Sequence, residues 1–386
     1  MIIGIDIRSL VEGKQSGVEE YTINLLENLF KIDSKNEYRL FCNAYKAKSL
    51  NISIFNQYKN VKIYKYNWPN KILNLSFRIL NYPKIDKMLG GVDLFFAPNI
   101  MFFGLSGNCK LILTIHDLSY EYYKNFLTFY RRFWHKFLNP KGLAEKADKI
   151  ICPSYSTKSD LVKTYGIPAG KIEVIYSGLS DVTRGDLVVQ DDAGVIRKKY
   201  NLPEKFILFL GTFEPRKNII GIISAYKMFN LRCYTPYKLV LAGSGGWKNK
   251  KIFEKIKKEG LEKDIVLSGH IDSNDKQAVL SLASLFIYPS FYEGFGFPPL
   301  EAMQYGVPVI TSACSSLLEI VGKAALLVNP YNIEEIAQAM YQVLSDEKLR
   351  EGLIKRGYEQ AKKFKWEKTA RRTLGIFKEI AKKPER

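Results

Sequence analysis

Apolar and polar residues follow two patterns along the chain, and each pattern predicts one kind of element. Short continuous apolar runs are typical of strands that are buried on both faces of a parallel sheet. In the first half of the chain such runs predict strands at Ile2–Ile7, Tyr38–Cys42, Val61–Tyr66, Leu94–Ala97, Leu111–Ile115, Lys149–Cys152 and Lys171–Ile175. In the second half they predict strands at Phe206–Leu210, Tyr237–Leu241, Ile265–Leu267, Leu285–Tyr288, Val307–Ile310 and Ala325–Val328. The segments between the runs carry apolar residues at helical spacing, as at Val18, Tyr21, Leu25 and Leu29.

The alternation of strands with helices predicts parallel sheets with helices on both faces. A chain of 386 residues also exceeds the usual size of one hydrophobic core. We therefore predict an α/β protein with two Rossmann-like domains, at residues 1–179 and 201–365, and a polar linker at 180–200. A last helix is predicted at Trp366–Ala381, within residues 366–386.

The stretch Phe291–Ile310, FYEGFGFPPLEAMQYGVPVI, combines signals for a turn, a helix and a strand. Gly294, Gly296 and the following Pro-Pro pair predict a tight loop, and a short helix is predicted at Leu300–Tyr305. The amino end of a helix offers unpaired N–H groups and the positive end of the helix dipole. We therefore expect a phosphate or diphosphate to bind at this place.

Two carboxylates frame this loop, Glu293 at its start and Glu301 in the first turn of the predicted helix. A carboxylate beside a phosphate would repel it, so each is expected to accept hydrogen bonds from neutral hydroxyls, such as those of ribose or another sugar. The simpler interpretation is that the glycines form a tight turn and both glutamates face solvent.

A second motif, FLGTFEPRKNI, places Arg216 and Lys217 in a loop between a strand that ends at Gly211 and a helix predicted to begin near Asn218. Two cations beside a helix amino end are unfavourable unless an anion lies between them. A diphosphate would supply that anion, and both cations could then stabilise a leaving nucleoside diphosphate. The alternative is a pair of solvated surface cations, which is the usual environment of these residues.

Two residues of the first domain are further candidates, and His116 is one because open α/β sheets bind ligands at the carboxyl ends of their strands. Gly17 opens the first predicted helix, and His116 follows the strand LILTI together with Asp117. An ordinary helix cap explains Gly17 equally well, and a lone histidine is more often structural.

Taken together, these motifs resemble the donor site of retaining GT-B glycosyltransferases of family 4. The similarity runs over nearly the whole chain and is strongest at residues 206–330, where the Glu-x7-Glu loop and the string GT-x-E-P-R-K-N lie. The resemblance implies two Rossmann-like domains that face each other across a cleft, with the last helix crossing back to the first domain. It also implies a nucleotide sugar under the second domain, an acceptor on the first, and a front-face mechanism in which the leaving phosphate helps to deprotonate the acceptor.

The resemblance assigns a role to each candidate. The residues implied in catalysis are His116, Arg216, Lys217 and Glu293, with His116 bonded to the donor sugar and Glu293 near the sugar or the diphosphate. The residues implied in donor binding are Gly17, Gly211, Gly243, His270, Ile271, Gly294, Phe295, Gly296, Phe297 and Glu301. Among these, Glu301 would accept from ribose hydroxyls, and the backbone around His270 would read the base. Thr212 stands where some relatives have an arginine, which leaves the division of roles between Arg216 and Lys217 open.

The expected co-substrate is a nucleotide sugar, and neither a metal nor another cofactor is expected. The chain has no Asp-x-Asp triplet to hold a metal and diphosphate, and the cations named above can take the place of a divalent ion. The strings GT-x-E-P-R-K-N and HDLSYE resemble mannosyl- and rhamnosyltransferases of bacterial surface polysaccharides. GDP-mannose is therefore the first choice of donor, and a glycan or a polyprenyl-diphosphate-linked glycan is the expected acceptor.

The formal net charge of +19 suits a partner that is anionic. Basic and aromatic residues alternate within 121–149, which suits peripheral contact with an anionic membrane. The alternative is that the aromatic residues form a buried helix face and the lysines its solvated side. No nucleic-acid motif accompanies the basic residues, so a nucleic-acid partner is not expected.

The five cysteines are scattered and lack CxxC spacing, which argues against disulfides and zinc. With no signal peptide or membrane span predicted, the expected location is the cytoplasm, with peripheral contact at the inner face of the membrane left open. Two other functions also remain open. A sugar-nucleotide epimerase on the same fold would need no acceptor, and a non-catalytic basic binding protein would explain the charge alone.

Overall fold

The computed structural model describes residues 1–11, 17–45, 52–180, 190–233, 236–243, 245 and 250–382. The chain forms two compact units. Unit 1 comprises Met1–Tyr120, Phe129–Ser180 and Lys365–Arg386, and unit 2 comprises Glu121–Thr128 and Asp181–Phe364. Parts of the linker predicted at 180–200 and of the last segment at 366–386 lie outside the described residues.

Unit 1 contains one parallel sheet of seven strands, in the order β3-β2-β1-β4-β5-β6-β7. The order reverses between β1 and β4, as in doubly wound sheets. The strands are β1 Ile2–Asp6, β2 Glu37–Asn43, β3 Val61–Tyr66, β4 Leu94–Ala97, β5 Lys110–Thr114, β6 Lys149–Cys152 and β7 Ile172–Val174.

Unit 2 contains a second parallel sheet, of six strands, in the order β10-β9-β8-β11-β12-β13. The strands are β8 Phe206–Leu210, β9 Lys238–Ala242, β10 Ile265–Gly269, β11 Leu285–Tyr288, β12 Val309–Ser312 and β13 Leu326–Val328. Every residue of β8, β11 and β12 is buried, and β8 and β11 accordingly appear as continuous apolar runs. The prediction of two parallel Rossmann-like sheets is confirmed.

Helices connect the strands in both units. They are α1 Gly17–Ile32, α2 Asn70–Leu80, α3 Ile85–Met88, α4 Ser119–Tyr122, α5 Phe129–Leu138, α6 Pro140–Lys146, α7 Tyr155–Tyr165, α8 Gln190–Tyr200, α9 Ile219–Cys233, α10 Lys250–Glu259, α11 Lys276–Ser281, α12 Phe297–Gln304, α13 Ser315–Val321, α14 Ile333–Ser345, α15 Glu347–Ala361 and α16 Trp366–Ala381.

The last helix, α16, is part of unit 1, where it packs against α1 and β4. The rings of Trp366 and Tyr21 lie 5.8 Å apart between centroids, and those of Phe377 and Phe96 lie 5.2 Å apart. Gly178 allows the chain to pass here, because a Cβ atom at this position would lie 2.1 Å from the backbone nitrogen of Trp366. The two ends of the chain therefore build unit 1 together.

Three details differ from the sequence expectations. The helix predicted at Leu300–Tyr305 begins earlier, at Phe297, because proline is tolerated in the first turn of a helix. The polar stretch at 180–200, predicted as a linker, contains α8, whose Ile196 and Tyr200 are buried. Glu121–Thr128, predicted inside the first domain, belongs to unit 2.

The close approach at Gly178 makes a testable prediction. Gly178→Ala should lower the free energy of unfolding by about 2 kcal/mol, because the new methyl group must push backbone atoms apart. Gly170→Ala is the matched control, since a Cβ atom there meets nothing within 4 Å. Urea unfolding of both variants measures the difference, and equal stabilities would contradict this packing.

Candidate functional site

The candidate site of unit 2 lies where its strand order reverses, between the adjacent parallel strands β8 and β11. Ligands of open α/β sheets bind at the carboxyl ends of the strands at such a point. The loop after β8 carries Glu214, Arg216 and Lys217, and the loop after β11 carries Glu293. The two strongest sequence motifs therefore meet at one edge of one sheet.

A cluster of ion pairs joins these two loops. Glu293 Oε2 lies 2.7 Å from Nη1 of Arg216, and Glu293 Oε1 lies 2.7 Å from Nζ of Lys217. Lys217 also donates to the hydroxyl of Tyr288, and Arg216 donates to the carbonyl of Tyr292 at 2.6 Å. Glu293 and Lys217 are both buried. All three charged residues are predicted site residues, but their pairing with one another was not predicted from the sequence.

The ionisation of this cluster follows from its geometry. Burial alone would raise the pKa of Glu293, but Arg216 and Lys217 outweigh burial and lower that pKa to about 2. Burial and the neighbouring Arg216 lower the pKa of Lys217, whereas Glu293 opposes that shift. At neutral pH Glu293 is therefore ionised, so it can accept hydrogen bonds but cannot donate them. It holds both cations in place.

Serine residues hold the backbone of the second loop. Ser315 Oγ accepts from the N–H of Glu293 at 2.9 Å, and Ser316 Oγ donates to the carbonyls of Glu293 and Phe295 at 2.9 and 2.8 Å. The N–H of Phe291 donates to the carbonyl of Arg216 at 2.9 Å, which ties this loop to the loop after β8. The carboxylate of Glu293 is thus fixed by both its side chain and its backbone.

The helix α12 begins directly after this loop. Gly296 precedes it with φ 112°, a backbone conformation that requires glycine, and a Cβ atom there would lie 2.7 Å from Cδ2 of Leu317. Pro298 and Pro299 occupy the first turn and have no N–H, which leaves Phe297 and Leu300 as its backbone donors. The amino end of α12 therefore has fewer backbone N–H donors than a typical anion site.

Glu301 lies in the second turn of α12, not in the first turn as predicted, and is buried. Its Oε1 pairs with Nζ of Lys276, the first residue of α11. Its Oε2 is buried, and no hydrogen-bond partner for it lies among the residues that the structure describes. A buried carboxylate oxygen needs a donor, so a ligand hydroxyl is a suitable partner.

The predicted glycines Gly211 and Gly243 lie together at the carboxyl ends of β8 and β9. A Cβ atom on Gly243 would lie 2.0 Å from the carbonyl oxygen of Gly211, and the N–H of Gly243 donates to the carbonyl of Gly269 at 2.6 Å. Backbone packing therefore requires glycine at residue 243. Most of the stretch 244–249 that follows lies outside the described residues.

His270 and Ile271 follow β10, the edge strand of the same sheet. His270 is exposed and Ile271 is buried. They lie two strands from the ion cluster, so the structure does not bring them into that cluster.

Two predicted site residues, Gly17 and His116, belong to unit 1. Gly17 is the first residue of α1, and His116 follows β5. Nε2 of His116 donates to the carbonyl of Pro98 at 2.9 Å, and its ring packs edge-on against Tyr21 at 4.7 Å. Burial lowers the pKa of His116, so the imidazole is neutral at neutral pH and its Nδ1 is an acceptor.

Comparisons with known proteins identify the family. Residues 193–360 match the model of glycosyl transferases group 1, and residues 15–181 match that of glycosyltransferase family 4. O-antigen chain mannosyltransferase B of Escherichia coli is 32% identical over 277 residues, which is 70% of each chain. This chain belongs to glycosyltransferase family 4. The predicted activity class, glycosyltransferase, is therefore confirmed.

Other proteins resemble this glycosyltransferase over different lengths. A diphospho-undecaprenol 4-alpha-N-acetylgalactosaminyltransferase of Campylobacter jejuni is 30% identical over 317 residues, 79% of this chain and 81% of its own. The chain spans about a third of the longer serotype-specific mannosyltransferase WbdA of Escherichia coli, which is 31% identical over 292 residues, 69% of this chain and 33% of its own. Sucrose-phosphate synthase of Thermosynechococcus elongatus has the same fold, with a TM-score of 0.75, 22% identity and coverage of 98% and 99% of the two chains. The GT-B fold class is confirmed.

Several residues that support the candidate site of this glycosyltransferase were not predicted from the sequence. Tyr288 and Lys276 contact the predicted charges directly, and Ser315 and Ser316 hold the loop. Tyr288 was recognisable as the last residue of a strand that leads into the loop. The other three carry no local signal, because their partners are distant in sequence.

The basic and aromatic stretch at 121–149 divides between the two units. In unit 2, Tyr122 stacks on Tyr292 at 5.8 Å, and Tyr123 donates to the carbonyl of Phe291 at 3.1 Å. The remainder of the stretch lies in unit 1 and includes α5. Its first part therefore packs beside the candidate site.

Three further features concern metals, membranes and cysteines. Within the described residues no group of three potential metal ligands occurs, and no helix is both long and apolar enough to cross a bilayer. No disulfide joins any of the four cysteines whose side chains the structure describes.

The ion cluster predicts a pH dependence of stability. The pKa of Glu293 is about 2 in the folded chain and 4.5 ordinarily, so its contribution, about 3 kcal/mol, is present above pH 4.5 and is lost as the pH falls towards 2. Glu293→Gln should therefore be less stable than wild type at neutral pH, and the difference should shrink below pH 4.5. Urea unfolding across this range measures it. Glu347→Gln, at an exposed carboxylate, is the control, and a constant Glu293→Gln difference would contradict the ionised cluster.

Proposed function

We propose that this glycosyltransferase acts in the cytoplasm and transfers a sugar from a nucleoside diphosphate sugar to an acceptor in bacterial surface polysaccharide synthesis. The relatives named as mannosyltransferases of O-antigen chains support mannose as the sugar and GDP-mannose as the donor. The relative that acts on a diphospho-undecaprenol substrate supports a polyprenyl-diphosphate-linked glycan as one class of acceptor.

The observation that carries this proposal is the unpaired oxygen of Glu301. A buried carboxylate with one oxygen on Lys276 and the other without a partner among the described residues can accept from two adjacent hydroxyls. The ribose of a nucleotide provides such a pair of hydroxyls. Lys276 offsets part of the negative charge, which reduces the repulsion between Glu301 and a diphosphate.

Arg216 and Lys217 are proposed to bind the diphosphate and to stabilise the charge that develops on the leaving group. Nζ of Lys217 has three donors, of which two bond Glu293 and Tyr288. The third can donate to a phosphate oxygen. Because Glu293 already fixes both cations, little reorganisation is needed when the leaving group becomes more negative.

The sugar and the stereochemistry complete the proposal. Nδ1 of the neutral His116 is an acceptor that suits a sugar hydroxyl, and Gly17 offers backbone without a side chain at the start of α1. We propose transfer with retention on the front face of the sugar, with the leaving phosphate accepting the proton of the acceptor hydroxyl. Glu293 is ionised and paired, which suits a positioning role better than that of an acid.

Nucleotide binding tests the role of Glu301. A thermal-shift screen against GDP, UDP, ADP and dTDP should give the largest increase in melting temperature with GDP. Glu301→Ala should weaken GDP binding about tenfold to a hundredfold, because two hydrogen bonds to a charged group are lost. Glu347→Ala is the control, since Glu347 is an exposed carboxylate on α15.

Different outcomes would contradict different parts. Equal GDP binding by wild type and Glu301→Ala would remove Glu301 from the nucleotide site. A larger shift with UDP than with GDP would reject GDP-mannose and leave the glycosyltransferase assignment intact.

Metal removal tests the role of the cations. Turnover of GDP-mannose and acceptor should be unchanged by a chelator, because Arg216 and Lys217 stabilise the leaving diphosphate without a divalent ion. Loss of turnover with chelator and recovery with magnesium or manganese would show that these cations do not suffice. A metal-dependent glycosyltransferase run in parallel shows that the chelator is effective.

A further inference from the structure

Two helices of unit 1, α2 and α5, expose large apolar side chains to solvent. On α2, Leu73 and Phe77 are buried, whereas Ile72, Leu75 and Ile79 on the opposite face are 65%, 50% and 67% exposed. A helix that packs one apolar face on its own core and leaves a second apolar face exposed has surface available for another partner.

The helix α5 has the same character. Phe129, Tyr130 and Phe133 are 80%, 72% and 60% exposed, which is unusual for large aromatic side chains. The opposite side of α5 packs on unit 1, where the ring of Trp134 lies 6.1 Å from that of Phe102. The exposed rings are therefore held by a helix that is itself anchored.

The two helices are neighbours. Nε of Arg78 on α2 donates to the carbonyl of Phe137 at the end of α5 at 2.8 Å, and its guanidinium lies 5.9 Å from the centre of the Phe137 ring. We call the exposed side chains of α2 and α5 together the α2–α5 surface. It is formed by Ile72, Leu75, Ile79, Phe129, Tyr130 and Phe133.

The charge around this surface has one sign. The helices carry five basic residues and no acidic residue, with the basic residues at Lys71, Arg78, Arg131, Arg132 and Lys136. A second copy of the chain placed on this surface would bring like charges together, and the net charge of +19 adds to that repulsion. Exposed aromatic and aliphatic side chains among cations are suited to a bilayer, where rings enter the headgroup region and cations meet anionic lipid.

We propose that the α2–α5 surface docks this glycosyltransferase on an anionic lipid bilayer. Within the stretch 121–149, the aromatic residues proposed to contact the membrane are those of α5, because Tyr122 and Tyr123 pack within unit 2. The surface also includes α2, for which no membrane contact was predicted from the sequence. The proposal does not depend on the identity of the donor, and it places the enzyme at the membrane where a polyprenyl-linked acceptor would reside.

Vesicle flotation of the full chain tests this surface. Wild type should bind vesicles of equal parts phosphatidylcholine and phosphatidylglycerol, bind phosphatidylcholine vesicles far less, and lose binding at high salt. Ile72→Ser/Ile79→Ser and Phe129→Ser/Phe133→Ser should each weaken binding about tenfold or more, because the inserted apolar area is lost. Lys71→Gln/Arg132→Gln/Lys136→Gln should weaken it on the order of a hundredfold, because each cation contributes about 1 kcal/mol.

Matched controls lie on unit 2. Leu231→Ser/Phe253→Ser removes two apolar side chains that are 67% and 50% exposed, and Lys251→Gln/Lys257→Gln/Lys258→Gln removes three exposed charges from α10. Both should bind vesicles like wild type. Melting temperature and the GDP-induced shift should be unchanged in every variant, which separates loss of docking from loss of fold or of the donor site.

Three results would overturn the proposal. Wild type could fail to bind anionic vesicles, or the α2–α5 variants could bind as well as the unit 2 controls. In the third case the α2–α5 variants would change the oligomeric state by analytical ultracentrifugation and leave vesicle binding intact, which would assign the surface to a second copy or another protein.

Discussion

The buried ion pairs from Glu293 to Arg216 and Lys217 are the constraint on which the candidate site depends. Each of these charges loses its hydration on folding, and the loss is offset only while all three keep their partners. The loops after β8 and β11 are consequently linked by charge and by the backbone bond between Phe291 and Arg216. The geometry of this cluster is therefore part of the folded structure of unit 2 and does not require a bound ligand.

The same constraint explains how the surroundings are arranged. Tyr288 closes the cluster at the end of its strand, and the serine residues at the start of α13 fix the backbone that carries Glu293. Glu301, on α12, has a different environment. It pairs with a single cation, and one of its carboxylate oxygens has no hydrogen-bond partner among the described residues. Two carboxylates eight positions apart thus have different chemistry, one saturated and one able to accept.

Much of the fold was predictable from sequence because buried parallel strands appear as continuous apolar runs, as at Phe206–Leu210 and Leu285–Tyr288, whose bounds agree with the structure. The membership of Glu121–Thr128 in unit 2 was not predictable, since it depends on which surface the aromatic rings reach. The site residues were recognisable by type and motif, but the pairing of Lys217 with Glu293 spans 76 positions and leaves no periodic signal. The exposed apolar residues of α2 were missed for a different reason. Isoleucine and leucine at helical spacing give the same pattern whether they face the core or solvent.

Gly178 packs against Trp366, so this part of unit 1 cannot be completed until residue 366 has been synthesised. Unit 1 includes β1 at the amino end and α16 at the carboxyl end, so its core is incomplete until the last helix has been synthesised. Unit 2 ends at Phe364 and has all of its strands before then. Domains fold as units during synthesis, so the first part of unit 1 is made before unit 2 but completes its fold only after α16 has been made. Until α16 has been made, Tyr21 of α1 and Phe96 of β4 lack the aromatic partners that α16 supplies.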